Sequence, residues 1–237
     1  MGYTHYWRRP KEIGKKDFLR IVDDFKKVLP KIKEVVSLAG PLGKGKPIIN
    51  EEKVLFNGSE DCGHPENSEI VIPWPSKDAS GIASPFEDAK SGNWFTGVEV
   101  SKRCCGGDCS YETFAFERIY KPCGNWDKPE VGKYFNFCKT GFRPYDLAVI
   151  TFLIIAKHHL NGKLIIESDG LDQHWFDGNL LCQMELGYGL EMKLNQEGAL
   201  QEVKGSKPRS AANWSTGNAR KERKNVRKKR LQGNHSL

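Results

Sequence analysis

From residue 17 onward, apolar side chains recur at Phe18, Ile21, Val22, Phe25, Val28, Leu29, Ile32, Val35 and Val36. That is a helical period, with Asp17 placed to cap the start and Gly40-Pro41 to stop the chain. Pro30 falls inside the pattern and predicts a kink or two shorter helices. An aromatic stretch at 3–8 precedes it and reads as a first strand. Strand-like runs follow at 54–57, 69–74, 94–100, 111–118 and 134–138, with a Ser-, Ala-, Asp- and Gly-rich loop at 76–91. The runs at 94–100 and 111–118 flank a Cys- and Gly-rich connection, as the arms of a hairpin with a long loop would. Pro144 then opens a helix at a position that suits proline, and the helix reaches about Leu160 before Asn161-Gly162 ends it. A strand at 163–168, a turn at Asp169-Gly170, a helix capped by Asp172 and a strand at 190–194 complete the pattern. The expected fold is α+β: one compact domain over residues 1–203. It has a central, mainly antiparallel sheet, an N-terminal helix and a C-terminal helix–strand–helix.

At Lys204 the apolar pattern stops, and residues 204–237 read as a basic tail, disordered in isolation. Charge sharpens this division. The whole chain of 237 residues carries a formal +7. The last 34 residues hold eleven Lys/Arg against one acid, Glu222, which makes +10 there and leaves −3 on residues 1–203. The body is therefore slightly acidic. Eight of the tail's cations lie in eleven residues: Arg220, Lys221, Arg223, Lys224, Arg227, Lys228, Lys229 and Arg230. Such a run binds phosphates with little regard to sequence, and it also matches a nuclear localisation signal. Trp214 lies upstream, where it can stack on a base. Residues 147–156 form the longest apolar run and are too short to span a bilayer. The start lacks the apolar core of a secretory signal, and Tyr6 stands where myristoylation needs Ser or Thr. The expected location is intracellular, without membrane: cytoplasmic, or nuclear where the host cell has a nucleus.

Seven cysteines in such a protein point to thiols or metal ligands before disulfides. The densest group is Cys104, Cys105 and Cys109, with Cys62 and His64 in an earlier loop. One zinc ion needs about four N/S ligands, and Cys62, His64 and two of the three later cysteines would supply them. Small buried thiols or a redox pair in Gly-rich turns are the alternative. His64-Pro-Glu66 matches half of a zinc-deaminase signature, but no P-C-x-x-C half accompanies it. Residues 40–46 imitate a phosphate-binding loop, yet Pro47 replaces the residue that would reach magnesium. No G-x-S-x-G, H-E-x-x-H or dinucleotide fingerprint is present.

Lys139, Arg143, Tyr145 and Asp146 surround the start of the Pro144 helix, where cations and free N–H groups can hold a phosphate. A capped helix start with solvated charges explains the same residues. His158 and His159 point about 100° apart on a helix and cannot both face one site. Asp169 ends a strand, where a functional residue or a plain turn fits equally. His5 sits among Tyr3, Tyr6 and Trp7, where it can line a pocket or be hydrogen-bonded within the fold.

Several motifs carry a resemblance: Met1-Gly-Tyr-Thr-His-Tyr-Trp7, Asp61-Cys-Gly-His-Pro65, Arg103-Cys-Cys-Gly-Gly-Asp-Cys-Ser-Tyr-Glu-Thr-Phe114, Phe137-Cys-Lys-Thr140 and Pro144-Tyr-Asp-Leu-Ala-Val149. Over nearly all of residues 1–195 the chain resembles a family of uncharacterised proteins of phages, bacteria and fungi. The resemblance excludes the basic tail and implies no activity. Two functional classes follow. One is a non-enzymatic body, zinc-stabilised, whose tail binds nucleic acid or directs nuclear entry. The other is an enzyme or a small-molecule or nucleotide binder, with His5, Asp61, Tyr145, Asp146 and Asp169 as candidate catalytic residues and Lys139 and Arg143 as anion ligands. The second class requires those side chains to meet in one cleft.

Overall fold

The structure is a computed structural model, and it describes residues 3–71, 102–124 and 127–203. The loop expected at 76–91, the strand at 94–100 and the tail at 204–237 lie outside the described residues.

Three helices form the apolar centre. The first, α1 (Lys15–Val35), buries Phe18, Ile21, Val22, Phe25, Val28 and Ile32. It begins two residues before Asp17, after Gly14, and passes through Pro30 as a single helix. The expected division into two shorter helices at Pro30 does not occur. One lost backbone bond is outweighed by an apolar stripe that continues on both sides of it. The second, α2 (Asp146–Leu160), is buried from Asp146 to Ala156 on every side, so its sequence shows almost no polar face. The third, α3 (Asp172–Leu186), packs on α2 and buries Trp175, Leu180, Leu181 and Cys182. At the end of α2 the two histidines meet in one cluster with Tyr188 and Asp24 rather than parting. His159 Nε2 meets Asp24 Oδ2 at 2.8 Å, while His158 stacks on the Tyr188 ring at 3.7 Å. No helix among the described residues is long and apolar enough to cross a membrane.

Around the helices the described strands form four antiparallel sheets rather than one central sheet. The first strand, β1 (Thr4–Arg9), lies in the middle of a three-stranded sheet. Short strands β2 (Leu38–Ala39) and β3 (Ile48–Ile49) flank β4 (Lys53–Gly58), and β5 (Glu66–Val71) pairs with β6 (Lys102–Gly106). Next, β7 (Phe114–Glu117) pairs with β4, and β8 (Tyr134–Lys139) and β9 (Ile165–Ser168) flank β1. A small hairpin of β10 (Met192–Leu194) and β11 (Leu200–Glu202) closes the body.

Strand β6 corrects the picture of an irregular Cys-rich connection. Its residues alternate faces, with Arg103 and Cys105 buried and Cys104 exposed. That period of two is what a pleated strand imposes. The run at 111–118 supplies β7, whose described partner is β4.

Candidate metal centre

The loop from β4 to β5, strand β6 and the turn after it bring four ligand-type side chains together. Cys62, His64, Cys105 and Cys109 have their ligand atoms all within 4.8 Å of one another. Cys105 Sγ lies 3.5 Å from both Cys62 Sγ and Cys109 Sγ, and His64 Nδ1 lies 3.3 Å from Cys109 Sγ. Zn–S bonds of about 2.3 Å and a Zn–N bond of about 2.0 Å place tetrahedral ligands roughly 3.5–3.8 Å apart. The set matches a Cys3His site, and the four residues could hold one metal ion such as zinc. Four protein ligands complete the tetrahedron, which is the pattern of a structural site; a catalytic one keeps a position open.

Local backbone chemistry explains the convergence. Gly63 has φ +74°, a left-handed turn that sets Cys62 and His64 on one side of the loop. A Cβ on Gly58 would come within 1.9 Å of the Cys109 carbonyl oxygen, so only glycine lets the end of β4 approach that turn. Ser59 then accepts the Cys109 N–H at 3.0 Å, and Asp108 Oδ1 accepts the Ser110 N–H at 2.8 Å. Cys105 and Cys109 are buried while Cys62 and His64 are half-buried. Burial raises the Cys62 thiol, but hydrogen bonds from the His64 N–H and the neighbouring thiols hold it below its ordinary value. Burial, reinforced by the Cys105 and Cys62 thiols, pushes the Cys109 thiol up. Beside a divalent cation a coordinating thiol is deprotonated outright.

Cys104 stands apart from this group. It lies on the exposed face of β6, because adjacent strand residues point to opposite sides. Cys138 and Cys182 are core residues, and Cys123 is exposed elsewhere.

A second polar constellation lies wholly inside the fold. Asp146, at the start of α2, accepts His5 Nε2–H and Thr140 Oγ1–H at 2.7 Å each on Oδ1, and Arg103 Nε–H at 3.2 Å on Oδ2. Arg103 also reaches Asp177 Oδ2 at 3.3 Å and the His174 carbonyl at 3.1 Å, with its guanidinium carbon 4.5 Å from the Phe142 ring centre. His5, Arg103, Thr140, Asp146 and Asp177 are all fully buried. Burial raises the Asp146 carboxyl, but His5, Arg103 and Thr140 outweigh it and hold the group below the ordinary carboxylate range. Asp177 shares the same arginine and sits near the Asp146 charge, and burial pushes it up to about 7.

Stability should depend on pH as a result. Between its ordinary 3.8 and about 7, Asp177 is protonated in the fold and ionised once unfolded. Folding therefore weakens as pH rises through that window and levels off above it. From pH 5 to 8 the loss should be about 3 kcal/mol at 1.36 kcal/mol per unit. Urea melts of the wild-type chain and Asp177→Asn under equal metal conditions check this. The difference in stability between the two chains should change across the window, and a constant difference would rule the effect out.

The constellation also contains Ser168, whose Oγ lies 3.0 Å from His5 Nδ1 and accepts N–H bonds from Gly170 at 3.0 Å and Trp175 at 3.4 Å. His5 thus bridges Ser168 Oγ through Nδ1 and Asp146 Oδ1 through Nε2. The order Ser–His–Asp matches a nucleophile relay. Here the Ser168 oxygen faces two N–H donors and His5 is fully buried.

The remaining candidates scatter. Tyr145 is buried and donates to the Glu112 carbonyl at 2.7 Å. Asp61 and Asp169 are exposed, and Tyr6 OH donates to Asp169 at 3.3 Å. Lys139 lies over the Tyr111 ring, and the Arg143 guanidinium covers Gly106. The anion at the start of α2 is the chain's own Asp146, where the helix dipole favours it. The loop at 40–46 runs between β2 and β3, with no helix behind it to support a phosphate. What sequence reasoning missed is a cavity of about 560 Å3 bounded by Arg8, Tyr120, Lys128, Lys133, Phe135 and Phe137 among others. The alternation in Tyr134-Phe-Asn-Phe-Cys138 was its signal.

No family model, curated protein or solved structure matches the chain.

Proposed function

We propose that the chain is a non-catalytic, zinc-stabilised protein held on nucleic acid by its basic segment, residues 204–237. The zinc half rests on one observation: three thiols and an imidazole converge with tetrahedral spacing on a closed site. The nucleic-acid half rests on charge, because the +10 segment joins a body of −3. Multiple Lys/Arg contacts to phosphate release counterions and give salt-sensitive, sequence-tolerant binding.

Elemental analysis of full chain purified without chelator should show about one zinc per molecule. Binding to a 20-base-pair duplex should weaken about 10³-fold between 50 and 200 mM salt, as six or more phosphate contacts imply. Deleting residues 204–237 should abolish it. Metal-free protein, or affinity unchanged by the deletion, would overturn the corresponding half.

A further inference from the structure

The three-stranded sheet β8–β1–β9 buries polar side chains among its core residues and exposes aromatic ones. Its inner face carries His5, Trp7 and Arg9 from β1, opposite Cys138, Asn136 and Tyr134 of β8. The residues between them face outward. Tyr6 pairs with Phe137 and Glu167, and Arg8 pairs with Phe135 and Ile165. Phe135 and Phe137 are 43% and 53% exposed on that outer face, while His5 and Arg9 are buried. A one-residue slip of register would exchange the faces, so the aromatic outer face is specified by the fold. Exposed large apolar side chains gathered on one patch mark a binding surface.

The rings are set as a platform. Tyr6 and Phe135 lie 6.1 Å apart at 22°, and Phe135 and Phe137 lie 6.1 Å apart at 32°. The Arg8 guanidinium carbon lies 5.4 Å from the Phe135 ring centre and is held by Glu167 at 2.7 Å. We infer that this face stacks the bases of a single-stranded nucleic acid. Flat rings at successive outward positions of an antiparallel sheet accept unpaired bases, whatever their identity. The charge arrangement favours bases over phosphates on the sheet itself. The Arg8–Glu167 pair leaves the ring face without net positive charge for a phosphate backbone, and Glu167 can accept an amino group of a base. The adjoining cavity sets Lys128 and Lys133 beside Asp127 and Glu130, so its cations are balanced by acids and the affinity of this face is assigned to the rings. The inference rests on the nucleic-acid reading above and adds strand type and orientation to it.

The test uses the full chain, a fluorescein-labelled 20-nucleotide oligo(dT) and a duplex of the same length. Phe135→Ala/Phe137→Ala should weaken oligo(dT) binding about tenfold or more, as loss of two stacking rings implies. Duplex binding should stay within twofold. Unchanged zinc content and melting temperature confirm that the variant folds, and Phe135→Tyr/Phe137→Tyr should restore binding. If wild-type chain binds neither oligonucleotide, the nucleic-acid reading itself fails. If it binds and the alanine pair binds oligo(dT) equally well, the stacking surface alone is overturned. Sedimentation showing that the alanine pair disrupts a dimer, without affecting oligo(dT), would give the surface to a second copy of the chain and overturn it likewise.

Discussion

Cys109→Ser should release the metal and melt the β5–β6 pair, whereas Cys104→Ser should do neither. Both residues belong to one short cysteine cluster, and only their placement separates them. Cys109 is buried, 3.5 Å from Cys105 and 3.3 Å from His64, while Cys104 faces solvent. Removing one of four ligands reopens the tetrahedron, and structural zinc sites in finger peptides are worth about 10–16 kcal/mol in apparent binding. The helical body has its own core, so the chain should keep most of its helix content. Thermal melts should show several kcal/mol lost, and hydrogen exchange should place that loss in β5 and β6. Zinc content measured on both variants decides the matter. A Cys109→Ser chain that retains one zinc, or a Cys104→Ser chain that loses it, would overturn the ligand set.

The two centres differ in how far they were legible in the sequence. Ligand types and spacing nominated all four members of the metal group, because Cys and His near glycine turns have few other uses in that density. Choosing between Cys104 and Cys105 needed the knowledge that 102–106 is a strand. Its Gly-rich flanks hid that, and the pairing partner lies more than thirty residues away. The three helices announced themselves by periodicity or by sheer apolar run. Pro30 misled, because local propensity cannot weigh the tertiary contacts on both sides of it. His5 and Asp146 were nominated for a pocket and do meet, at 2.7 Å, but inside the core. Burial depends on what covers a residue, and their shared partner Arg103 carried no local signal beyond its charge. Phe135 and Phe137 read as ordinary strand hydrophobics. Only the register with β1 shows that they face outward.

Arg103 is where strand β6 meets the helical body, and Arg103→Met should cost about 3–5 kcal/mol, the range for breaking a buried ion pair from one side. Its three nitrogens serve three partners: Nε reaches Asp146, Nη1 reaches Asp177 and Nη2 reaches the His174 carbonyl. Methionine keeps the apolar stem but leaves two buried carboxylates without the cation between them. Asp177, already pushed up to about 7, relieves its share by keeping its proton. Asp146, held below the ordinary range partly by Arg103, loses that support. The penalty should therefore be larger at pH 8 than at pH 5, because ionising either acid without the arginine costs more. Arg103→Lys should recover little of the loss, since an ammonium cannot present a planar fork to three directions. Adding Asp177→Asn to Arg103→Met should recover part of it at pH 8. Denaturant melts of the two single variants and the pair at both pH values close the cycle. Additive losses there would mean that Arg103 acts through packing against Phe142 alone, and the coupling between β6 and the helices would have to be sought in the ring contact rather than in charge.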